Sequence, residues 1–505
     1  MTTPELQGRL ASLTSWRSEW DGLRVVVLGL GVAAFSSADT LTELGADVLV
    51  VADAYHEERA RLLDVIGARL HVGDLSVVPG AVTEFAPEVV VVSSGRFHPD
   101  HPVLAWAEQA GVAVWSDVEL AWRVRDKIEP AAEWICITGT NGKTTTVELT
   151  ATFLVASGVR AAPCGNIGIP VLDAVRDPEG FDVLVVELSS YQLHWLNRNA
   201  GGEVFPFSSA CLNLAEDHLD FHGSMQAYGA AKAKVYENTK IACVYNKADL
   251  ATLRMVEEAE VVEGARAVGF GLDSPGPSEF GIVDGILCDR AFLEDRATTA
   301  LELTTIDELR AAGLAAPHVV ANILAAAALS RSYGVPAGVI HDALATFRLD
   351  PHRIETVAAH DGVLWVDDSK ATNPHAADAS LRAFENVVWI VGGDLKGVAI
   401  DDLVRRHADR LSGAVVIGLD QEPVLAAFRR HAPQVRVLAV ASGETETVMP
   451  QAVRFAARLA KEGDTVLLAP AAASLDQFAD FADRGDRFAK AVHDLLADDQ
   501  GPDAS

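Results

Sequence analysis

Six consecutive residues in the first half of the chain have the types and spacing that bind phosphate. They are Gly139, Thr140, Asn141, Gly142, Lys143 and Thr144, and Thr145 follows them. The backbone N–H groups of a glycine-rich turn that leads into a helix point at an anion, and the helix dipole favours the negative charge. Lys143 adds a full positive charge, and the Thr144 hydroxyl is suited to ligate Mg²⁺. The motif is incomplete, because Ile137 stands where the general pattern has its first glycine.

Three further residues could hold a metal ion beside such a loop. Glu187 follows the predicted buried strand 181–186, and a carboxylate at that place resembles the metal-holding acid of nucleotide hydrolases. His218 lies just beyond another predicted strand end, and Lys232 lies in an alanine-rich segment. Taken alone, a loop histidine is more often structural, and a lysine of this kind is usually a solvated surface residue. The loop and Glu187 therefore indicate a nucleotide-binding protein but leave its reaction open.

The elements that must position these residues alternate β-branched apolar runs with amphipathic helical patterns, which is typical of parallel α/β sheets. The predicted strands of the first segment are 23–28, 48–51, 89–93 and 112–115. Those of the second are 134–137, 181–186, 209–214 and 242–245, followed by an irregular stretch, 261–303, that we interpret as a small side sheet, and a helix over 321–329. Those of the third are 363–366, 387–391, 414–417, 435–440 and 465–468.

We therefore predict an α/β protein of three domains. Residues 1–121 form a Rossmann-like domain, 122–349 a central P-loop-type ATPase domain with a parallel sheet, and 350–505 a C-terminal Rossmann-like α/β domain. The length of 505 residues agrees with three domains of about 150 residues each.

The charge and composition exclude several classes of protein. The chain has 41 basic and 71 acidic residues, a formal net charge of −30, so it is a poor nucleic-acid binder. No apolar run approaches the ~18 residues of a membrane span, and no secretory signal is visible. The five cysteines are scattered without a Cys-x-x-Cys pair, which argues against a disulfide framework and a thiolate zinc site. We expect a cytoplasmic monomer that binds small molecules, without nucleic-acid partners.

Several motifs read together resemble the Mur ligase family, most closely its D-glutamate-adding branch. Besides the loop at Gly139, they are Gly165-Asn166-Ile167-Gly168, Glu187-Leu188-Ser189-Ser190-Tyr191-Gln192, Glu216-Asp217-His218, Pro351-His352-Arg353, Asp367-Asp368-Ser369-Lys370-Ala371-Thr372-Asn373, Gly392-Gly393-Asp394 and Ala472-Ala473-Ser474-Leu475-Asp476-Gln477-Phe478. Each motif is weak by itself, but the ordered set spans residues 139–478 and is specific. The motifs around Lys370 and Ser474 are those that distinguish the D-glutamate branch.

The resemblance implies an ATP-dependent amide-bond ligase of peptidoglycan precursor synthesis. Its substrates would be UDP-N-acetylmuramoyl-L-alanine and D-glutamate, its cofactors ATP and Mg²⁺, and its intermediate an acyl phosphate. A carboxylate resists nucleophilic attack, so ATP must activate it, and bringing it to the γ-phosphate requires dense positive charge.

The resemblance also assigns roles to individual residues. The catalytic residues would be Lys143, Glu187, His218 and Lys232, and the metal ligands Thr144, Glu187, His218 and a carbamylated Lys232. Besides the loop 139–145, ATP would contact Asn322, Arg353, Asp368 and Lys370. The substrates would contact Gly31, Asp53, Ser93 and Asn166 on the muramoyl side, and Thr372, Lys396, Ser474, Leu475 and Phe481 on the D-glutamate side. Phe481 fits a core position equally well.

One departure from the family keeps alternatives open. The family commonly has a glycine at the place of Ala34 and a small or hydroxyl residue near Ala33, which leaves the contacts to UDP undetermined. The loop Gly29-Leu30-Gly31 with Asp53 also fits a dinucleotide fingerprint, so an NAD-dependent oxidoreductase is an alternative. A regulatory P-loop NTPase is a second, but it has no use for Lys232 or Lys370. Another Mur ligase, or a folylpolyglutamate synthase-like enzyme, is the nearest alternative.

Overall fold

The computed structural model describes residues 4–93, 97–441 and 445–499. They divide into two compact units. The first comprises the described residues of Met1–Leu214 and Ser224–Phe347, and the second those of Ala215–Gly223 and Arg348–Ser505. The short segment Ala215–Gly223, which contains His218, thus groups with the C-terminal part of the chain. The domain boundaries after residues 121 and 349 remain predictions.

The first sheet of the first unit has five parallel strands in the order β3-β2-β1-β4-β5 among the described residues. Its elements are α1 (Pro4–Ser12), β1 (Arg24–Leu28), α2 (Val32–Glu43), β2 (Asp47–Ala52), α3 (Glu57–Ile66), β3 (Arg69–Val72), α4 (Gly80–Phe85), β4 (Val89–Val92), α5 (Pro102–Ala110), β5 (Ala113–Ser116) and α6 (Asp117–Arg123). Strands β1 and β4 are apolar runs buried on both faces, as expected for the centre of a parallel sheet.

The second sheet of this unit has nine strands in the described part of the chain, in the order β14-β13-β12-β11-β10-β9-β6-β8-β7. The elements are β6 (Glu133–Thr138), α7 (Lys143–Ala156), β7 (Ala161–Gly165), α8 (Val171–Arg176), β8 (Val183–Glu187), α9 (Ser190–Trp195), β9 (Ser208–Cys211), α10 (Leu219–His222, in the second unit), α11 (Met225–Ala233), β10 (Ala242–Asn246), α12 (Leu250–Glu258), β11 (Arg266–Phe270), β12 (Glu279–Val283), β13 (Ile286–Asp289), β14 (Leu301–Thr305), α13 (Ile306–Ala311), α14 (Pro317–Ser332) and α15 (Ala337–Thr346). Ala325, Ala326, Ala327 and Ala328 are fully buried, and these small residues let α14 pack closely on α7.

The prediction of a separate side sheet over 261–303 is wrong. Strand β11 pairs in parallel with β10, so the sheet continues without a break into β12, β13 and β14. Strand β13 is antiparallel to both of its neighbours, β12 and β14, and the short turn 284–285 joins it to β12.

The sheet of the second unit has six strands among the residues described, in the order β15-β16-β20-β17-β18-β19. Its elements are β15 (Glu355–His360), β16 (Val363–Asp367), α16 (Pro374–Arg382), β17 (Val387–Gly392), α17 (Asp401–His407), β18 (Leu411–Ile417), α18 (Glu422–His431), β19 (Val437–Ala439), α19 (Thr445–Leu459), β20 (Thr465–Leu468) and α20 (Phe481–Asp499). Only the edge strand β15 is antiparallel to its neighbour in this described sheet. Apolar clusters on both faces form the core.

Within the described ranges, no helix combines the length and apolar character needed to cross a membrane.

Candidate active site

The phosphate loop connects β6 to α7 and depends on two glycines with positive φ. Gly139 has φ +150° and Gly142 has φ +84°, a left-handed conformation that glycine adopts at little cost. Gly142 is the N-cap of α7, so the free N–H groups of that helix start at the loop. A Cβ atom on Gly142 would lie 2.4 Å from Oδ1 of Asn322. The predicted nucleotide residue Asn322 on α14 therefore lies directly against the loop.

The loop is held in shape by a residue that sequence reasoning missed. Asn213, just beyond β9, accepts a hydrogen bond from the Asn141 N–H at 2.8 Å and donates one to the Asn141 carbonyl at 3.0 Å. The backbone N–H of Thr140 also donates to the Asn213 carbonyl, at 2.9 Å. Beside these bonds, the hydroxyls of Thr140 and Tyr228 lie 3.1 Å apart. The neighbouring strand end thus fixes the backbone that would surround a phosphate.

Two lysines meet at one carbonyl oxygen of the loop. Nζ of Lys143 and Nζ of Lys232 each donate to the carbonyl of Gly139, both at 2.8 Å. The Lys143 ammonium also donates to the Thr140 carbonyl at 2.9 Å. Lys232 is almost fully buried, with 2% of its surface exposed. It is therefore not a solvated surface residue, as a lysine in such a segment usually is. Both predicted catalytic lysines are brought together at the phosphate loop.

Glu187 ends β8 beside the same loop, because it pairs with Ile137 on β6. Its Oε1 accepts a hydrogen bond from the Asn166 side chain at 2.9 Å, and its Oε2 is buried with no hydrogen-bond partner among the described atoms. A buried carboxylate oxygen in this state is costly unless a cation or donor completes it. Together with the half-buried Thr144 hydroxyl it offers the hard oxygen ligands that Mg²⁺ prefers, so these residues fit that ion.

The predicted muramoyl-side residues of the first sheet follow three adjacent strands. Leu28 at the end of β1 pairs with Val51 on β2 and with Val92 on β4. Gly31, Asp53 and Ser93 come shortly after these positions. They therefore lie along one carboxyl edge of the sheet, where parallel α/β sheets bind their ligands.

In the second unit, two polar side chains converge on the carboxylate of Asp217. Nζ of Lys396 lies 3.3 Å from Oδ1 of Asp217, and Nδ2 of Asn373 lies 3.4 Å from its Oδ2. His218 follows Asp217, with the left-handed φ of +54°. Thr372 precedes Asn373, so Thr372, Lys396 and His218, all predicted site residues, belong to one neighbourhood of this unit. The other predicted metal ligands belong to the first unit.

Ser474 and Leu475 are brought to the Lys396 loop by a backbone bridge. Asp394 and Ala473 exchange N–H···O hydrogen bonds of 3.0 and 2.8 Å. Ser474 is buried, whereas Leu475 is 74% exposed. Of these two predicted D-glutamate residues, only Leu475 is largely exposed.

The predicted nucleotide residues Asp368 and Lys370 follow β16. Asp368 is buried and accepts a hydrogen bond from Ser380. Burial raises the pKa of Asp368 to about 6, although the Ser380 bond and the nearby Arg353 charge lower it. Nζ of Lys370 lies 3.6 Å from the ring centre of Phe481, a cation–π distance. Phe481 is half-buried, so it is not a simple core residue.

Arg484 is a second residue that sequence reasoning missed. It is fully buried near the start of α20. Its guanidinium donates to the Ser369 hydroxyl at 3.0 Å, to the Ser369 carbonyl at 2.8 Å and to the Ala472 carbonyl at 3.2 Å. One side chain thus joins the loop after β16 to the loop after β20, which carries Ser474. We call this contact the Arg484 clasp.

Comparison with known proteins connects this geometry to a family. A sequence model of the Mur ligase middle domain matches residues 137–330, and a model of the Mur ligase, glutamate ligase domain matches residues 352–472. A protein of Leifsonia xyli subsp. xyli named UDP-N-acetylmuramoylalanine--D-glutamate ligase is 67% identical over 506 residues, 98% of each chain. This chain belongs to the Mur ligase family.

Other Mur ligase relatives support the same assignment. A Streptomyces avermitilis protein with the same name is 50% identical over 484 residues, 95% of this chain and 100% of its own. Among solved structures, the UDP-N-acetylmuramate-alanine ligase of Thermotoga maritima matches with a TM-score of 0.54 at 17% identity, over 94% of this chain and 99% of that one. At this identity the likeness shows the fold alone. The predicted Mur ligase family and the predicted α/β fold class are confirmed, with three sheets in the described part of the chain.

Proposed function

We propose that this chain is the Mur ligase that joins D-glutamate to UDP-N-acetylmuramoyl-L-alanine, with ATP converting the alanyl carboxylate into an acyl phosphate. The observation that carries the proposal is the arrangement of Lys143 and the buried Lys232 and Glu187 around the phosphate loop. The choice of D-glutamate is supported by the name and the 67% identity of the Leifsonia relative. With the family established, the oxidoreductase alternative loses its basis.

At the ATP end, Lys143 and the backbone N–H groups of residues 139–145 would hold the phosphates. Thr144 and Glu187 would hold Mg²⁺, which supplies positive charge where the carboxylate meets the γ-phosphate. Asn322 lies against the loop and would contact the nucleotide, as would Arg353, Asp368 and Lys370 of the C-terminal part. The MurF ligase of Thermotoga maritima was solved with ADP, which agrees with nucleotide use in the family.

Lys232 has a separate role in the proposal. As an ammonium beside Lys143 it adds repulsion at the loop, whereas as a carbamate it becomes an anionic oxygen ligand. With His218 it would then hold a second Mg²⁺. The shared Gly139 carbonyl supports this role, because two like charges at one acceptor are unfavourable unless one of them is modified or compensated.

The two substrates would approach this centre from different sets of residues. Asn166, which bonds Glu187, would contact the muramoyl substrate near its carboxylate, and Gly31, Asp53 and Ser93 would receive the uridine nucleotide. Lys396 would bind a carboxylate of D-glutamate in place of Asp217. The remaining D-glutamate contacts in the proposal are Thr372, Ser474, Leu475 and Phe481.

The proposed organisation follows from these roles. Residues 1–121 bind the UDP substrate, 122–349 bind ATP, and 350–505 bind D-glutamate and contribute to the nucleotide site. We place the enzyme in the cytoplasm, as a monomer, in peptidoglycan precursor synthesis. Light scattering of the purified protein tests the monomer.

The test is an acceptor assay with ATP, Mg²⁺ and UDP-N-acetylmuramoyl-L-alanine. D-glutamate, L-glutamate, L-alanine and L-lysine are offered in turn, and phosphate release and the ligated product are measured. We expect product only with D-glutamate, and phosphate release only when both substrates are present. Product with another amino acid would favour a different Mur ligase or a folylpolyglutamate synthase-like activity. ATP hydrolysis without an acceptor would favour a regulatory NTPase.

A further inference from the structure

The helix after β2 carries an arginine that reaches the N-terminal glycine loop. Arg59, on α3, donates a hydrogen bond from Nη1 to the carbonyl of Leu30. Leu30 is the middle residue of Gly29-Leu30-Gly31, so the guanidinium lies against the loop that joins β1 to α2. We propose that Arg59 binds the diphosphate of the uridine nucleotide at this loop. The inference rests on the proposed UDP substrate and names a residue that holds it.

The backbone of this loop is suited to an anion but brings no side-chain charge of its own. Gly29 has φ +92°, and Gly31 is the N-cap of the twelve-residue helix α2 without a side-chain cap bond. The first turn of α2 has no acidic residue, and residues 29–43 contain no lysine, arginine or histidine. Helix N–H groups alone would then face a diphosphate in a chain of net charge −30. A nearby cation from another element is needed to balance that charge.

Arg59 differs from the other arginines of its neighbourhood in its charge balance. Arg61 pairs with Glu57 at 2.5 Å, and Arg69 pairs with Asp47 at 3.6 Å. Among the described residues, no carboxylate forms an ion pair with Arg59. Its bond to the Leu30 carbonyl uses one of five N–H groups, so the guanidinium keeps donors in a fixed fork for phosphate oxygens. The Leu30 bond therefore holds the Arg59 guanidinium in place, and no carboxylate of the described residues neutralises its charge. Both conditions favour the binding of an anion.

An ordinary structural role is the competing explanation, because the same bond could simply brace the loop. The two roles separate by substitution. A glutamine at position 59 carries no charge and is two bonds shorter than arginine, whereas a lysine keeps the charge and loses the fork. Bracing of the loop predicts that lysine and glutamine lose UDP binding equally and that the loss does not depend on salt, whereas diphosphate binding predicts partial recovery by lysine and a loss that shrinks as salt is added.

The experiment is calorimetric titration of the full chain with UDP, at low and at high salt. For Arg59→Ala we expect UDP binding weaker by about 10- to 100-fold, the usual loss for a charge-assisted bond. Arg59→Lys should recover part of the loss and Arg59→Gln little of it. Arg61→Ala, on the same helix, is the matched control and should stay within about two-fold of the parent chain. Added salt should weaken the parent chain more than Arg59→Ala.

Two results would overturn the inference. One is UDP affinity in Arg59→Ala equal to that of the parent chain, and the other is a loss in Arg59→Lys as large as in Arg59→Ala, with the salt dependence of the parent chain retained in both. If the parent chain itself binds no UDP, the proposed substrate is wrong and the inference falls with it. Parent binding together with unchanged Arg59 variants would refute the inference alone.

Discussion

Replacing Lys232 tests the chemistry of the phosphate loop most directly. Its Nζ and that of Lys143 each lie 2.8 Å from the Gly139 carbonyl oxygen, so the two nitrogens are at most twice that distance apart. Two unit charges at that limit repel by about 3 kcal/mol at an effective dielectric constant of ~20. An unmodified Lys232 would therefore destabilise the charged form of Lys143, the residue that would hold the phosphates.

For Lys232→Ala we expect catalysis to change far more than ATP binding. ATP affinity should be largely retained, because Lys143 and the loop N–H groups would hold the phosphates, whereas the carbamate of Lys232 would hold a metal ion. The kcat of ligation should fall by about 100-fold or more, which corresponds to about 3 kcal/mol of lost transition-state stabilisation. Formate or acetate should restore part of the activity, since a small carboxylate can enter the space left by the side chain and replace the carbamate oxygens.

Lys232→Met is the matched control. Its side chain is of similar length, cannot be carbamylated and fills the space, so it should lose activity as alanine does but show no rescue by carboxylates. ATP binding is measured by calorimetry, and ligation by product formation at saturating substrates with graded formate. Full activity in Lys232→Ala, or equal rescue of both variants, would refute the assigned metal role.

Three further changes test two buried side chains of α6 and the phosphate loop. Burial raises the pKa of Asp117 from 3.8 to about 6. Ionising this carboxyl in the folded state therefore costs free energy, and the cost grows as the pH rises through that range. Asp117→Asn removes the cost and should stabilise the protein by about 3 kcal/mol at pH 8 and about half as much at pH 5. Urea unfolding at both pH values measures this, and an equal gain at both would contradict the cause. Arg123 forms a fully buried ion pair with Glu119 at 2.9 Å. Arg123→Met leaves the Glu119 carboxylate without its ion-pair partner and should cost about 3–5 kcal/mol in the same assay; a loss below about 1 kcal/mol would contradict it. Gly142→Ala should weaken ATP binding by at least about ten-fold, because its Cβ would meet the Asn322 side chain in addition to the strained φ. Gly158→Ala has a similar φ and open space around its Cβ, so it is the control and should leave ATP affinity unchanged.

Much of the fold was predictable because its central strands are continuous apolar runs. The runs at β1, β4, β8 and β17 are buried, and their prediction needs only local pattern. The strands that were missed are β3, β7 and β15. Strands β3 and β15 have largely exposed or half-buried residues, and β7 contains a proline, so hydrophobic pattern alone does not identify them.

Site residues could be predicted where they belong to a contiguous motif. They could not be predicted where their role depends on contacts between residues far apart in the sequence. Lys143 was found from a contiguous motif. Asn213 and Tyr228 were not, because their partners in the loop are 72 and 88 residues away in sequence. The burial of Arg484 was equally hidden, since an arginine is normally exposed and only its contacts with Ser369 explain its position. A sequence motif can place a residue near the site, but it does not show which distant groups that residue contacts.

The Arg484 clasp also bears on the order in which the enzyme matures during synthesis. The phosphate loop and the elements that brace it, from β6 to α14, are complete once about two thirds of the chain has left the ribosome. The loop after β16 cannot gain its guanidinium until residue 484 has emerged, some 115 residues after Ser369. Because domains fold as they emerge, a chain stopped short of Arg484 would carry an assembled phosphate loop and an unfinished Lys370 segment. Emergence of the last helix is thus the step that completes the segment around Lys370.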